Sequence, residues 1–288
     1  MTKFKTSKFL LVLALAAVMA FGSVMMLSGC GSSSSSTGGS FRTLDQIKES
    51  GKITIGVFSD KSPFGYVDEN GDYQGYDIEL AKRLGEDLGV EVEFVSTEAA
   101  NRVEYLQTAK VDVILANFTI TPERAEAVDF ASAYMNVALG VVSHKDHVVT
   151  DLSQVGDRKV IVISGTTAET YLTEHNPELT LEKYDTYAAA KSAFENNADA
   201  VWANDNTEVI AFANQATAGE YVVGIETLGD ADTIAPAVTK GNTTLLEWIN
   251  EDMAKLGAEN FFHTDYEKTL LATYGADYED TLVVEPGK

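Results

Sequence analysis

From residue 41 onward, short apolar runs alternate with stretches in which apolar residues recur every three or four positions, and this alternation predicts strands interleaved with amphipathic helices. Ile53 to Phe58 is rich in β-branched residues and reads as a strand. Tyr76 to Leu88 places Ile78, Leu80, Ala81, Leu84 and Leu88 near one helical face before Gly89 ends it. Val90 to Val95 resumes as a strand, Asn101 to Lys110 is a short helix, Val111 to Ala116 a buried strand, and Thr121-Pro-Glu-Arg124 opens the next helix. Leu139 to Ser143 reads as a strand leaving this unit. Lys159 to Ser164 begins a second unit, with a helix from Thr167 and a later buried strand over Ala198 to Ala203. Ile234 to Val238 is again a strand, and the remainder is nearly all helix, over Thr243 to Leu256 and Ala258 to Tyr274.

A β, α, β, α order predicts an α/β fold of mainly parallel sheets flanked by helices. The stretch from residue 41 is long enough for two cores, so two lobes are expected: residues 41–136 with 233–288 in the first and 137–232 in the second, joined by a two-crossover hinge.

The first forty residues follow another pattern. Lys3, Lys5 and Lys8 precede an apolar run from Phe9 to Leu27, and Leu27-Ser-Gly-Cys30 follows. That order reads as an export signal, and the tetrad resembles a lipobox, which implies removal of residues 1–29 and lipidation of Cys30. Residues 30–40 then form a Gly/Ser tether, and two acyl chains on one residue suffice for durable anchoring. Cys30 is the single cysteine, so no internal disulfide is possible.

The chain has 21 basic and 44 acidic residues, and loss of the three leader lysines leaves 18 against 44, a formal charge of −26. Nucleic acid is excluded as a partner on that balance.

Candidate chemistry gathers where strands end. In Thr119-Ile-Thr121-Pro122-Glu123-Arg124, Thr caps a helix, Pro suits its first position and Glu suits its dipole. Arg124 at that helix start is either a surface residue or one half of a carboxylate receptor. Ser164-Gly-Thr166-Thr167 repeats the logic in the second lobe, again open to reading as a simple cap. Asp205 ends the strand from Ala198, where open α/β sheets bind ligands, and suits either an ammonium group or a helix cap. Lys61, Phe64 and Tyr66 offer a cation and aromatic walls after the first strand.

No phosphate-binding GxxxxGK[ST] or GxSxG elbow occurs, and His144 and His147 read as an exposed loop rather than a metal site. Neither cofactor nor metal is expected.

Gly51 to Gly56, Pro63 to Gly71, Gly75 to Ala81, Val111 to Arg124 and Val128 to Phe130, in this order and spacing, resemble the polar amino-acid family of extracellular solute-binding proteins. The resemblance covers essentially the whole folded chain and implies the type II periplasmic-binding-protein fold. It also implies that Thr119 and Arg124 grip a ligand α-carboxylate with help near Thr167, that Asp205 binds the α-ammonium, and that a membrane permease of an ABC importer is the partner of a monomeric receptor. Glu98 to Val103, Ala116-Asn117-Phe118, Asp205 to Thr207, Ile234 to Val238 and Phe261 to His263 look closer still to cysteine-binding members, which favours cysteine or cystine. Many relatives carry aromatics near Lys61 and Ala99. Lys and Ala here put an aromatic sandwich in doubt and keep an acidic side chain, held by Lys61 and Arg102, as the alternative. Cyclohexadienyl dehydratases share the fold, but Arg124 and Asp205 favour binding over catalysis.

Overall fold

The computed structural model describes residues 41–288; the leader, Cys30 and the tether lie outside the described residues. Two five-stranded sheets, each covered by helices, form the two lobes. In the first, the strand order is Glu91–Ser96, Lys52–Val57, Val113–Ile114, Ala237–Thr239, Val128–Phe130. In the second it is Thr180–Tyr184, Lys159–Ile163, Val201–Asp205, Met135–His144, Tyr221–Ile234.

Ile55 lies opposite Phe94 on one side and Val113 on the other, both in parallel register. Ala237–Thr239 runs antiparallel to both of its neighbours. Met135–His144 does the same in the second sheet. The one reversed strand in each sheet is the strand by which the chain enters that lobe from the other, so the mainly parallel expectation holds with one exception per lobe.

The two crossovers lie side by side. Met135 pairs with Ile234, Thr119 bridges Ile234, and the Tyr134 and Ala131 amides donate to the Ile234 and Pro236 carbonyls at 3.0 and 2.8 Å. Hydrogen bonding across adjacent strands leaves few soft residues to bend, which suits a hinge.

The helix Tyr76–Leu88 forms as its apolar spacing predicts, with Ile78, Ala81, Leu84 and Leu88 buried and Gly89 at φ 75° closing its end. Its buried face joins Ile53 and Ile55 of the strand beside it and Leu245, Ile249, Met253, Phe262 and Tyr266 of the C-terminal helices in one core. That shared core is why the end of the chain returns to the first lobe.

Several boundaries differ from expectation. Residues 111–116 are buried, but only Val113–Ile114 makes ladder pairs. The expected strand Ile234–Val238 is two strands, because Pro236 has no N–H to continue a ladder and breaks the run. Tyr221–Ile234, with charged residues at 226, 230 and 232, escapes an apolar-run reading altogether; its ladder to Met135–His144 contains three register shifts. His144 is not in a loop: it ends a strand with its ring 4.9 Å from Phe194.

Candidate functional site

The site is assembled at the carboxyl ends of strands from both lobes. Thr121 caps the helix Pro122–Ala127, accepting from the Arg124 amide at 3.2 Å, and Pro122 occupies its first position, as the motif predicts. This cap holds Arg124 against the cleft rather than the surface. Its Nη1 donates to the Thr119 carbonyl at 2.8 Å and its Nη2 to the Gly165 carbonyl of the opposite lobe at 2.9 Å.

Arg102 reaches the same point from the first lobe. Its guanidinium donates to the carbonyls of Ala99, Ala116 and Asn117 at 3.0, 3.0 and 3.1 Å, and to Gly165 at 3.1 Å. Phe118 lies between the two guanidiniums, 4.5 Å from that of Arg102 and 4.9 Å from that of Arg124. Among the described residues neither arginine has a carboxylate partner. Burial, then the charge of Arg102, pull the Arg124 pKa down to about 9, so this place penalises an uncompensated cation and favours an incoming anion.

The opposite end of the cleft holds Lys61. Its side chain is fully buried, with Nζ 2.5 Å from Asn117 Oδ1 and 3.0 Å from Asp205 Oδ2, among the rings of Phe58, Phe64 and Tyr187. Burial alone would lower the lysine pKa, but Asp205, Tyr187 and Glu208 outweigh it and hold the pKa above its ordinary value. Asp205 occupies the cap position of the helix Asn206–Gln215 yet makes no capping bond. Its carboxylate accepts from Lys61 of the other lobe instead.

Asn117 sits at φ 48°, a left-handed conformation that asparagine tolerates, and its amide donates to Asp77 Oδ2 at 2.8 Å. Asp77 also accepts from the Tyr134 hydroxyl at 2.6 Å. Burial raises the Asp77 pKa to about 6 against the pull of these two donors.

The remaining candidates divide. Thr119 is buried and on the hinge bridge, and Thr167 lines an open cavity of about 630 Å³ at the cleft mouth together with Arg124, Leu139, Tyr171 and Asp232. Thr166 is a helix cap, accepting from the Glu169 amide at 3.3 Å. Phe64 belongs to the first-lobe core as well as to the wall around Lys61. Tyr66 is half-buried on a small three-stranded hairpin, opposite Asp60 and Gln74.

The lobes are in contact. A Cβ at Gly165 would lie 2.5 Å from the Ala100 Cα, so only glycine lets the second-lobe loop approach this closely. The Ala188 amide donates to Asp60 at 3.1 Å, and the Phe58 and Tyr187 rings meet edge to face at 5.1 Å. Sequence reasoning missed Tyr187, Glu208, Asp77 and Gly165 as cleft residues. Tyr187 reads as the apolar face of a helix, Glu208 and Asp77 as acids suited to a first helical turn, and a glycine's carbonyl carries no side-chain signal.

Two lobes hinged by paired strands, closing over a cleft with two guanidiniums that lack a carboxylate and a buried ion pair, define a two-lobed solute receptor. Residues 53–270 match the family of bacterial extracellular solute-binding proteins, family 3, and the chain belongs to that family. The L-cysteine solute receptor of Neisseria gonorrhoeae is 49% identical, with a TM-score of 0.82 over 85% of this chain and 100% of that one. The cysteine-binding protein of Campylobacter jejuni is 47% identical, with a TM-score of 0.81 over 84% and 98%. The glutamine-binding protein GlnH of Bacillus subtilis is 28% identical over 88% of this chain and 95% of its own. These relatives are receptors, and the chain is a binding protein rather than an enzyme.

Proposed function

We propose that this chain is an extracytoplasmic, lipid-anchored receptor that captures a polar amino acid, cysteine or cystine before others, and presents it to the permease of an ABC importer. The observation that carries this reading is the pair of guanidiniums, buried Arg102 and half-buried Arg124, that have only carbonyls for partners. A ligand carboxylate displacing the Gly165 carbonyl from Arg124 supplies the missing counter-charge in a bidentate geometry no carbonyl matches. Asp205, on the opposite lobe, is the acceptor for the ligand ammonium. Thr119 and Thr167 complete the carboxylate end.

In this reading the amino acid binds the open first lobe and closure adds the second, excluding water and strengthening both charge contacts. The lobes divide near residues 136 and 232, the receptor acts as a monomer, and residues 1–29 are removed so that Cys30 carries the anchor. The names of the Neisseria and Campylobacter relatives support cysteine. An acidic ligand side chain is the weaker reading, because Lys61, one of the two cations it would need, is already paired with Asp205.

Thermal-shift and calorimetric titration of the ligand-stripped protein against the twenty amino acids and cystine tests the proposal. A ligand at one hundred times its Kd adds about 2.7 kcal/mol, which a melt resolves. Stabilisation by cysteine or cystine is expected. Stabilisation by aspartate or glutamate alone transfers the reading to an acidic ligand, and no response to any of them rejects it.

A further inference from the structure

We infer that Lys61 is a specificity-determining residue: a resident cation that occupies one side of the ammonium site and confines the receptor to amino acids whose side chain carries no net positive charge. The inference rests on the amino-acid reading above and names the class of side chain the cleft admits.

Lys61 comes from the first lobe and Asp205 from the second, and their contact at 3.0 Å spans the cleft. Asp205 is therefore already paired before any ligand arrives, and a ligand ammonium joins a carboxylate that has one cation on it. Neither partner is wet, at 0% and 7% side-chain exposure, so the charges are poorly screened. Phe58, Phe64 and Tyr187 close around Nζ with centroids at 5.7, 5.5 and 4.9 Å, and the side chain is fully buried.

One acid stands behind this pair. Glu208 is completely buried on the first turn of the helix that Asp205 precedes, and both of its carboxyl oxygens lack a hydrogen-bond partner. Its nearest cation is Lys191, at 3.8 Å. With Lys61 in place, a second cation brought to Asp205 meets the charge of Lys61 at close range. Without Lys61, Asp205 and Glu208 together form an acidic end suited to a ligand with two cationic groups. Exclusion by a like charge placed in the path of the wrong ligand is a repulsive device, distinct from any contact made to the right one.

The test is calorimetric competition on the full chain purified in mild detergent and stripped of ligand, with L-cysteine, L-cystine, L-serine, L-lysine, L-ornithine and L-arginine as probes. The wild type is expected to bind at least one neutral probe, and each cationic probe about 100-fold more weakly or worse. Lys61→Met is expected to narrow that ratio by about tenfold or more. Lys61→Gln, which keeps a hydrogen-bonding group beside Asn117 and Asp205 without the charge, is expected to do the same and serves if the methionine variant does not melt cooperatively. A wild type that takes lysine or arginine as readily as the neutral probes overturns the inference without recourse to a variant. A folded variant that keeps the wild-type ratio overturns it too, while leaving the amino-acid reading intact. Failure of the wild type to bind any probe overturns the inference, and failure against all twenty amino acids and cystine removes the amino-acid reading as well.

Discussion

At the scale of single residues, the cleft is a set of charges whose partners are unevenly distributed. Arg124 has carbonyls where a carboxylate belongs, so Arg124→Ala is expected to abolish amino-acid binding, a loss of about 2–5 kcal/mol, with circular dichroism and melting close to wild type. Wild-type affinity in a folded variant rejects the carboxylate site. Away from the cleft, burial and the neighbouring Glu79 push the Asp265 pKa to about 9, and its Oδ2 lacks a partner. The folded carboxyl holds a proton that the unfolded one releases. Its stabilising contribution is therefore complete below pH 4 and drains away as pH rises towards 9. Asp265→Asn, which mimics the protonated form, is expected to raise Tm at pH 8 and to change it little at pH 4; equal shifts at both values contradict the assignment.

At the scale of elements, the contact that matters most is between two turns. The loop Ser164–Thr166 of the second lobe meets the turn at Ala99–Ala100 of the first, with Gly165 at φ 78° and no room for a Cβ. Gly165→Ala adds an atom on the closing face and strains the backbone at once. The expected outcome is weaker ligand binding and, in small-angle scattering with saturating ligand, a radius of gyration that stays nearer that of the ligand-free protein. Closure equal to wild type shows that the turns separate without cost. The short helix Pro122–Ala127 works similarly, since its Thr121 cap is worth about 1 kcal/mol and places Arg124.

At the scale of the whole molecule, the paired crossovers at Met135 and Ile234 let two rigid sheets move as bodies. Net charge has no part in choosing the ligand, because at a screening length of about 8 Å the buried groups of the cleft dominate the field there. The proposed lipid anchor is independent of the cleft. Cys30→Ser is expected to move the receptor from the membrane fraction to the soluble one and to leave ligand affinity unchanged; retention in the membrane rejects lipidation at that position.

The sequence by itself determined the elements and their order. The apolar spacing of Tyr76–Leu88, the β-branched runs at Lys52–Val57 and Lys159–Ile163, and the cap chemistry of Thr121-Pro122 are local effects, legible because each acts within a few residues. The candidate positions Arg124 and Asp205 were also legible, as a helix start and a strand end, and Lys61 as a cation after the first strand, whereas Arg102, Asn117 and Phe118 came only from the family resemblance. Their partners were not legible. Lys61 and Asp205 are 144 positions apart, and Arg124 and Gly165 are 41 apart across two lobes. Whether a charge is buried, and what neutralises it, depends on which distant segments fold against it. Only the tertiary structure decides that Lys61 belongs to Asp205, that Arg124 faces a carbonyl, and that Glu208, ordinary in a first helical turn, lies sealed behind them.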